Sequence, residues 1–161
     1  MADTKLVLKD LRQHLQEYLK RNAPTFGLPA DKIFDYQAGH GLALVPPALE
    51  IYFPDPACQT ERVTINNSKE YRHKIFCQIY YYGAKITLLG KYDEVQETLN
   101  KIHKFLIENP IITGFTQSIY PENGLIDVID NSPSISGLGM LDPEHLIGGY
   151  IEFTVTVYQL Y

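Results

Sequence analysis

The sequence contains no tryptophan and only two cysteines, and its apolar runs are too short to cross a membrane as a helix. Cys58 and Cys77 allow a single disulfide at most, and neither belongs to a C-x-x-C pair. The sequence therefore indicates no disulfide framework and no zinc knuckle. The opening stretch "MADTKLVLKDLRQHL" carries charges among its first residues, unlike a secretory signal. We expect a protein that is cytosolic at synthesis and has no membrane partner.

The motifs of common enzyme chemistry are also missing. The sequence has no G-x-x-x-x-G-K-[ST] loop, no H-E-x-x-H pair and no G-x-S-x-G elbow. The "GLG" at 137–139 follows a Ser/Pro loop and opens no helix, so it does not predict a dinucleotide site. We predict no catalytic residue, no metal site and no cofactor, and therefore a protein that is not an enzyme.

Two short segments keep an alternative open. His40 lies between glycines in "AGHGLAL", where a side chain can approach a ligand closely, and Asp142, Glu144 and His145 gather in "LDPEHL". Each segment also has an ordinary interpretation, the first as a flexible turn and the second as a turn into a short helical segment capped by Asp142. The alternative prediction is a small-ligand-binding or enzymatic α+β domain that uses the His40 loop.

Basic residues are absent from the last third of the chain. All 14 lysines and arginines lie at or before Lys104, whereas seven acidic residues and no basic one follow it. With a net charge of −5, the chain is not expected to bind nucleic acid directly and sequence-specifically. The asymmetry has two interpretations that stay open: an ordinary acidic surface, or an acidic side that meets a neutral or basic side of another copy.

The 161 residues, 45% of them hydrophobic, are enough for one domain with its own core. Apolar residues at helical spacing predict the two main helices, and alternating stretches predict strands. The predicted strands are 48–53, 61–66, 71–82 and a hairpin over 114–130, with short strands also expected at 33–36 and 42–45, and the second main helix is 91–109. The predicted organisation is a single domain, 1–161, with an N-terminal helix at 4–22, a sheet-and-helix core at 48–130, a long loop at 131–148 and a final strand at 149–160. This order predicts the α+β class: an antiparallel or mixed β-sheet with two main helices packed mostly on one face.

Tyrosine is abundant, with 12 residues, and three of them are consecutive in "KIFCQIYYYGAK", 74–85. That strand carries apolar or aromatic residues on both faces, whereas helices are expected to cover only one. Tyrosine offers a large, rigid contact area with a polar tip, so we expect the second face to meet another protein, most simply another copy. The candidate subunit-interface residues are Tyr80, Tyr82, Leu138, Met140, Leu141 and Tyr158.

Three segments carry a resemblance to a known family: "EYRHKIFCQIYYYG", then "KYDEVQETLNKIHKFLIENP", then a final "GGYIEFTVTVYQLY". Their order, after an amphipathic N-terminal helix and the strand "PALEIYF", resembles the tail-terminator (tail-completion) proteins of long-tailed bacteriophages, including relatives in Mu-like prophages. The resemblance implies a structural virion protein without a cofactor, which forms a homo-oligomeric ring, typically a hexamer.

Such a ring caps the tail tube and joins it to the head, so the implied partners are other copies, tail-tube proteins and head-completion proteins. The implied location is the virion tail, with the host cytoplasm during assembly. A head–tail connector and a tube subunit are the other structural phage parts that remain open.

Overall fold

A computed structural model of the chain describes residues 7–34, 45–54, 56–62, 70–85, 92–109, 128–129, 134–137, 139–141 and 146–160. Its helices are α1 (Val7–Arg21), α2 (Ala23–Phe26) and α3 (Tyr92–Glu108), with a 3-10 turn at Ala30–Lys32. Its strands are β1 (Ile33–Phe34), β2 (Ala48–Tyr52), β3 (Cys58–Arg62), β4 (Glu70–Lys85), β5 (Val128–Ile129), β6 (Ser134–Ile135), β7 (Gly139–Leu141) and β8 (Leu146–Leu160).

The sheet is built around the long antiparallel pair β4 and β8, whose register matches Ile79 with Ile151 and Tyr80 with Tyr150. On the outer side of β4, β2 pairs with its second half and β3 with its first half. On the outer side of β8, the short strands β5, β6 and β7 pair one after another. Among the described strands, β1 alone is parallel to its neighbour, β2, so the sheet is mixed.

Both long helices pack on the same face of this sheet. The apolar positions Leu11, Leu15 and Leu19 of α1 recur at helical spacing and are buried, as are Val95 and Leu99 of α3. They belong to one core cluster with the alternate residues of β4 and β8 that face them. The predicted α+β class, with a mixed sheet and helices on one face, is confirmed.

Side chains of helix α3 pack directly onto β4 and β8 where these strands carry glycine. A Cβ atom built on Gly83 would overlap the side chain of Val95, including its Cβ at 2.8 Å. A Cβ on Gly149 would lie 2.5 Å from Leu99 Cδ2. Glycine at these positions therefore sets the distance between the helix and the sheet.

The structure differs from the sequence-based expectations in the bounds of several strands, and residues 114–127 of the expected hairpin lie outside the described residues. The strand expected at 61–66 is β3, Cys58–Arg62, which begins three residues earlier. The long loop expected at 131–148 is wrong in part, because β6, β7 and the first residues of β8 lie within it where the structure describes the chain. These strands are only two or three residues long, and each exists because β8 offers it backbone groups to pair with.

Candidate functional site: the tyrosine face of the sheet

The face of the sheet opposite the helices carries a cluster of aromatic and acidic side chains. Register places them in cross-strand rows, because alternate residues of a strand point to the same face. We call this surface the tyrosine face. It consists of Phe34, Ala48, Glu50, Tyr52, Phe76, Gln78, Tyr80, Tyr82, Tyr150 and Glu152.

Tyr80 is the centre of the cluster. Its ring lies edge-on to Tyr52 at 6.1 Å between centroids, stacks on Tyr82 at 6.4 Å and is tilted against Tyr150 at 5.4 Å. These separations are those of favourable aromatic pairs, each of which contributes about 0.5–1.5 kcal/mol beyond area burial. The rings are thus held as a pre-ordered platform.

Glu50 is fully enclosed within this face, at 1% exposure, and Tyr82 is 4% exposed. The Tyr82 hydroxyl donates a hydrogen bond to the Glu50 carboxylate. Burial raises the pKa of Tyr82 most strongly, and the charges of Glu50 and Tyr80 and this hydrogen bond raise it further. Tyr82 therefore stays protonated and available as the donor to a buried carboxylate.

A chain of hydrogen-bonded side chains runs across the face from Tyr80 to Glu152. The Tyr80 hydroxyl donates to Gln78 Oε1 at 3.0 Å, and Gln78 Nε2 donates to Glu152 Oε1 at 2.6 Å. Burial is the main cause that raises the pKa of Tyr80, followed by Tyr150, Tyr52, Glu152 and Glu50. Because Tyr80 donates to the Gln78 oxygen, the Gln78 amide nitrogen must point towards Glu152. Its hydrogen bond then holds the Glu152 carboxylate in place.

A depression of about 280 Å³ opens beside this chain, and we call it the Glu152 socket. It is bounded by Pro54, Pro56, Phe76, Gln78 and Glu152, with Cys77 beneath. The two prolines belong to the connection between β2 and β3. At the end of this connection, the Phe76 amide of β4 donates a backbone hydrogen bond to Ala57 O at 2.9 Å. The socket thus has apolar walls and a carboxylate at one end.

The predicted interface residues have different places. Tyr80 is half-buried on the tyrosine face, whereas Tyr82 is buried against Ala48 and Tyr80 and has almost no area left for a partner. Met140 and Leu141 lie in β7, opposite Ile147 and Leu146. Tyr158 lies in β8, opposite Arg72. Leu138 and the alternative ligand set, His40, Asp142, Glu144 and His145, lie outside the described residues.

The sequence-based reasoning missed Glu50, Tyr52, Gln78 and Glu152 as members of the site. A signal existed in "ALEIY", where alternation places Glu50 and Tyr52 on one face. What was missing was the pairing of β2 with β4, which brings them beside Tyr80 and Gln78.

Other reactive groups lie on the helix side of the sheet. Burial raises the pKa of the Cys77 thiol well above its ordinary value, which makes it an unreactive core residue. His73, 7% exposed, has its Nδ1 2.9 Å from Thr60 Oγ1. Among the described residues there is no group of three or more metal-ligating side chains, and no described helix has the length and apolarity needed to cross a membrane.

No protein-family model matches the chain, and no curated protein has a significantly similar sequence.

Proposed function

We propose that this protein is a structural subunit of a phage or prophage tail: a tail terminator whose copies form a ring on the last ring of the tail tube. The ring stops tube growth and offers a surface for head joining. Its work is geometric and requires no cofactor. Its partners are other copies, tail-tube proteins and head-completion proteins, and its location is the virion tail after assembly in the host cytoplasm.

The observation that carries this proposal is the tyrosine face. Tyr52, Tyr80 and Tyr150 are only partly buried there, although they belong to a sheet whose other face packs against the helices. Aromatic residues held in a rigid arrangement are enriched at the centres of protein interfaces, because they contribute area without a large loss of side-chain entropy. A platform of this kind supports a role in assembly.

Two further features support a ring. The helices on one face and the tyrosines on the other give the molecule two unlike sides, which suits a head-to-tail contact, and a head-to-tail contact that closes produces a ring. The last 57 residues contain no lysine or arginine. Together with the resemblance of the three segments described above, these features favour a tail terminator over a protein that acts alone.

The proposal is tested by sedimentation and negative-stain microscopy of the purified protein, with and without tail-tube subunits. Discrete rings that cap tubes are the expected result. Replacing Tyr80 and Tyr150 by serine should weaken association at least about 30-fold, since central interface tyrosines typically contribute about 2 kcal/mol or more. The matched control is Tyr92→Ser, because Tyr92 is 45% exposed at the start of α3, on the helix side.

Circular dichroism of the double variant, and of Tyr150→Ser alone, separates loss of association from loss of folding. Long tubes formed by this protein alone would indicate a tube subunit instead. A monomer at all concentrations that caps no tube would refute the proposal.

A further inference from the structure

The Glu152 socket is too small for most small-molecule ligands but suits one long side chain. Its volume of about 280 Å³ lies just below the roughly 300–1,000 Å³ of typical ligand pockets. Its walls are two proline rings and the ring of Phe76. An apolar slot of this kind accommodates the methylene stem of a lysine, whose charged end then reaches the carboxylate.

The carboxylate in the socket is prepared for a cation. Glu152 is exposed, and its Oε1 accepts the hydrogen bond from Gln78 Nε2, which leaves Oε2 directed away from that bond. Within the part of the chain that the structure describes, no lysine or arginine forms an ion pair with Glu152. Lys74, whose Nζ lies 5.8 Å from the centroid of the Phe76 ring, is among the lysines that form no such pair, so the carboxylate is open to a cation from a second copy.

The charges on the two long helices indicate which surface of a second copy can supply a cation to the Glu152 socket. Helix α3 is acidic on balance, and its lysines Lys101 and Lys104 already lie 3.5 and 3.8 Å from Glu97 and Glu108 of the same helix. Helix α1 has the opposite balance: its charged residues are Lys9, Asp10, Arg12, Glu17, Lys20 and Arg21. The outer side of α1 is therefore a basic surface that complements the exposed Glu152 carboxylate.

We propose that the Glu152 socket receives a lysine from α1 of a second copy, Lys9 or Lys20, in a front-to-back contact between subunits. This inference rests on the proposed assembly and names the partner surface within it. Lys9 is exposed and Lys20 partly exposed on α1. Because α1 lies on the helix side and the socket on the tyrosine face, the contact joins unlike surfaces and repeats from copy to copy.

Zero-length carbodiimide coupling tests the contact directly, because it joins only a carboxylate and an amine that already touch. The probe is the full-length protein, mixed in equal amounts with a 15N-labelled preparation. The expected product, found by mass spectrometry, is a peptide pair between Glu152 and Lys9 or Lys20 in which one peptide is labelled and the other is not.

Charge reversal gives the second measurement. Glu152→Lys should weaken self-association at least about tenfold at low salt, and the effect should shrink at about 1 M salt, where the Debye length is about 3 Å. The matched control is Glu97→Lys, which reverses an exposed carboxylate on α3. Combining Glu152→Lys with Lys9→Glu and Lys20→Glu should restore part of the lost association.

The outcomes separate this inference from the proposed function. Assembly that proceeds equally well in Glu152→Lys and Glu97→Lys overturns the socket contact and leaves the ring intact as a proposal. Coupling of Glu152 only within one chain, or only to a tube subunit, also overturns it. A protein that stays monomeric under all conditions defeats both.

Discussion

The contact of α3 with Gly83 predicts that a side chain at this position destabilises the fold. In Gly83→Ala, the new methyl would overlap both methyl groups of Val95 and lie 2.8 Å from its Cβ. The Val95 Cβ is fixed to the helix backbone, and Gly83 lies where the register of β4 with β8 shifts, between Tyr82 and Ala84. The overlap is therefore relieved only if α3 or this part of β4 moves. Overpacking of this kind typically destabilises by about 1–3 kcal/mol.

The expected loss for Gly83→Ala is therefore about 1–3 kcal/mol, or roughly 2–4 °C in the melting temperature for each kcal/mol. The assay is urea unfolding followed by circular dichroism at one fixed protein concentration, because self-association would make the midpoint concentration-dependent. The control is Gly137→Ala. A Cβ at Gly137 meets nothing within 4 Å, so this variant should be neutral or up to about 1 kcal/mol more stable.

A double-mutant cycle identifies the cause. Val95→Ala alone should cost about 2 kcal/mol, since Val95 is 2% exposed and loses two buried methyl groups. In the double variant the two worst overlaps are gone and only the Cβ contact remains, so the loss should be smaller than the sum by about 1 kcal/mol. A Gly83→Ala protein as stable as Gly137→Ala, or strictly additive losses, would refute the reasoning.

Two other predictions concern the second face of the sheet. Because the pKa of Tyr82 is raised by folding, its contribution to stability is complete below about pH 10 and is lost as the pH rises above that value. Tyr82→Phe removes the hydrogen-bond donor of Glu50 and should lower stability at neutral pH by about 1–3 kcal/mol. It should also flatten the fall of the urea midpoint at alkaline pH. A fall as steep as that of the control Tyr92→Phe would contradict this. Thr156 is 5% exposed and its Oγ1 has no hydrogen-bond partner, so Thr156→Val should stabilise by about 1 kcal/mol. Thr154, equally buried, does have an interaction partner, so Thr154→Val should destabilise, and equal melting shifts for the two variants would count against the assignment.

Much of the fold follows from periodicity in the sequence. The apolar spacing of Val95, Leu99, Ile102 and Leu106 predicts α3 to within a residue of its observed ends. The long strands β4 and β8 are likewise predicted from alternation, although β4 extends to Lys85 and β8 begins at Leu146. These elements are predictable because each carries its own core-facing pattern.

The parts that were missed depend on contacts between distant segments. Nothing local marks Ser134–Ile135 or Gly139–Leu141 as strands, because they are defined by pairing with β8. The same holds for the site. Tyr80 and Tyr82 have the same local pattern, yet Tyr82 lies opposite the small Ala48 and is buried, whereas Tyr80 lies beside Tyr150 and stays partly exposed. Register across the sheet, which one sequence does not reveal, distinguishes the two tyrosines.

The flanks of the sheet have a consequence for the solubility of the single chain. Strands β4 and β8 are 16 and 15 residues long. Within the described residues, the strands beside them are shorter: five residues each in β2 and β3, two each in β5 and β6, and three in β7. On one flank the interruption carries Pro54 and Pro56, which have no amide hydrogen to donate. A border that is short and broken, as it is in the described part of the chain, is a poor template for an incoming strand, so single chains at high concentration are protected from fibre-like stacking.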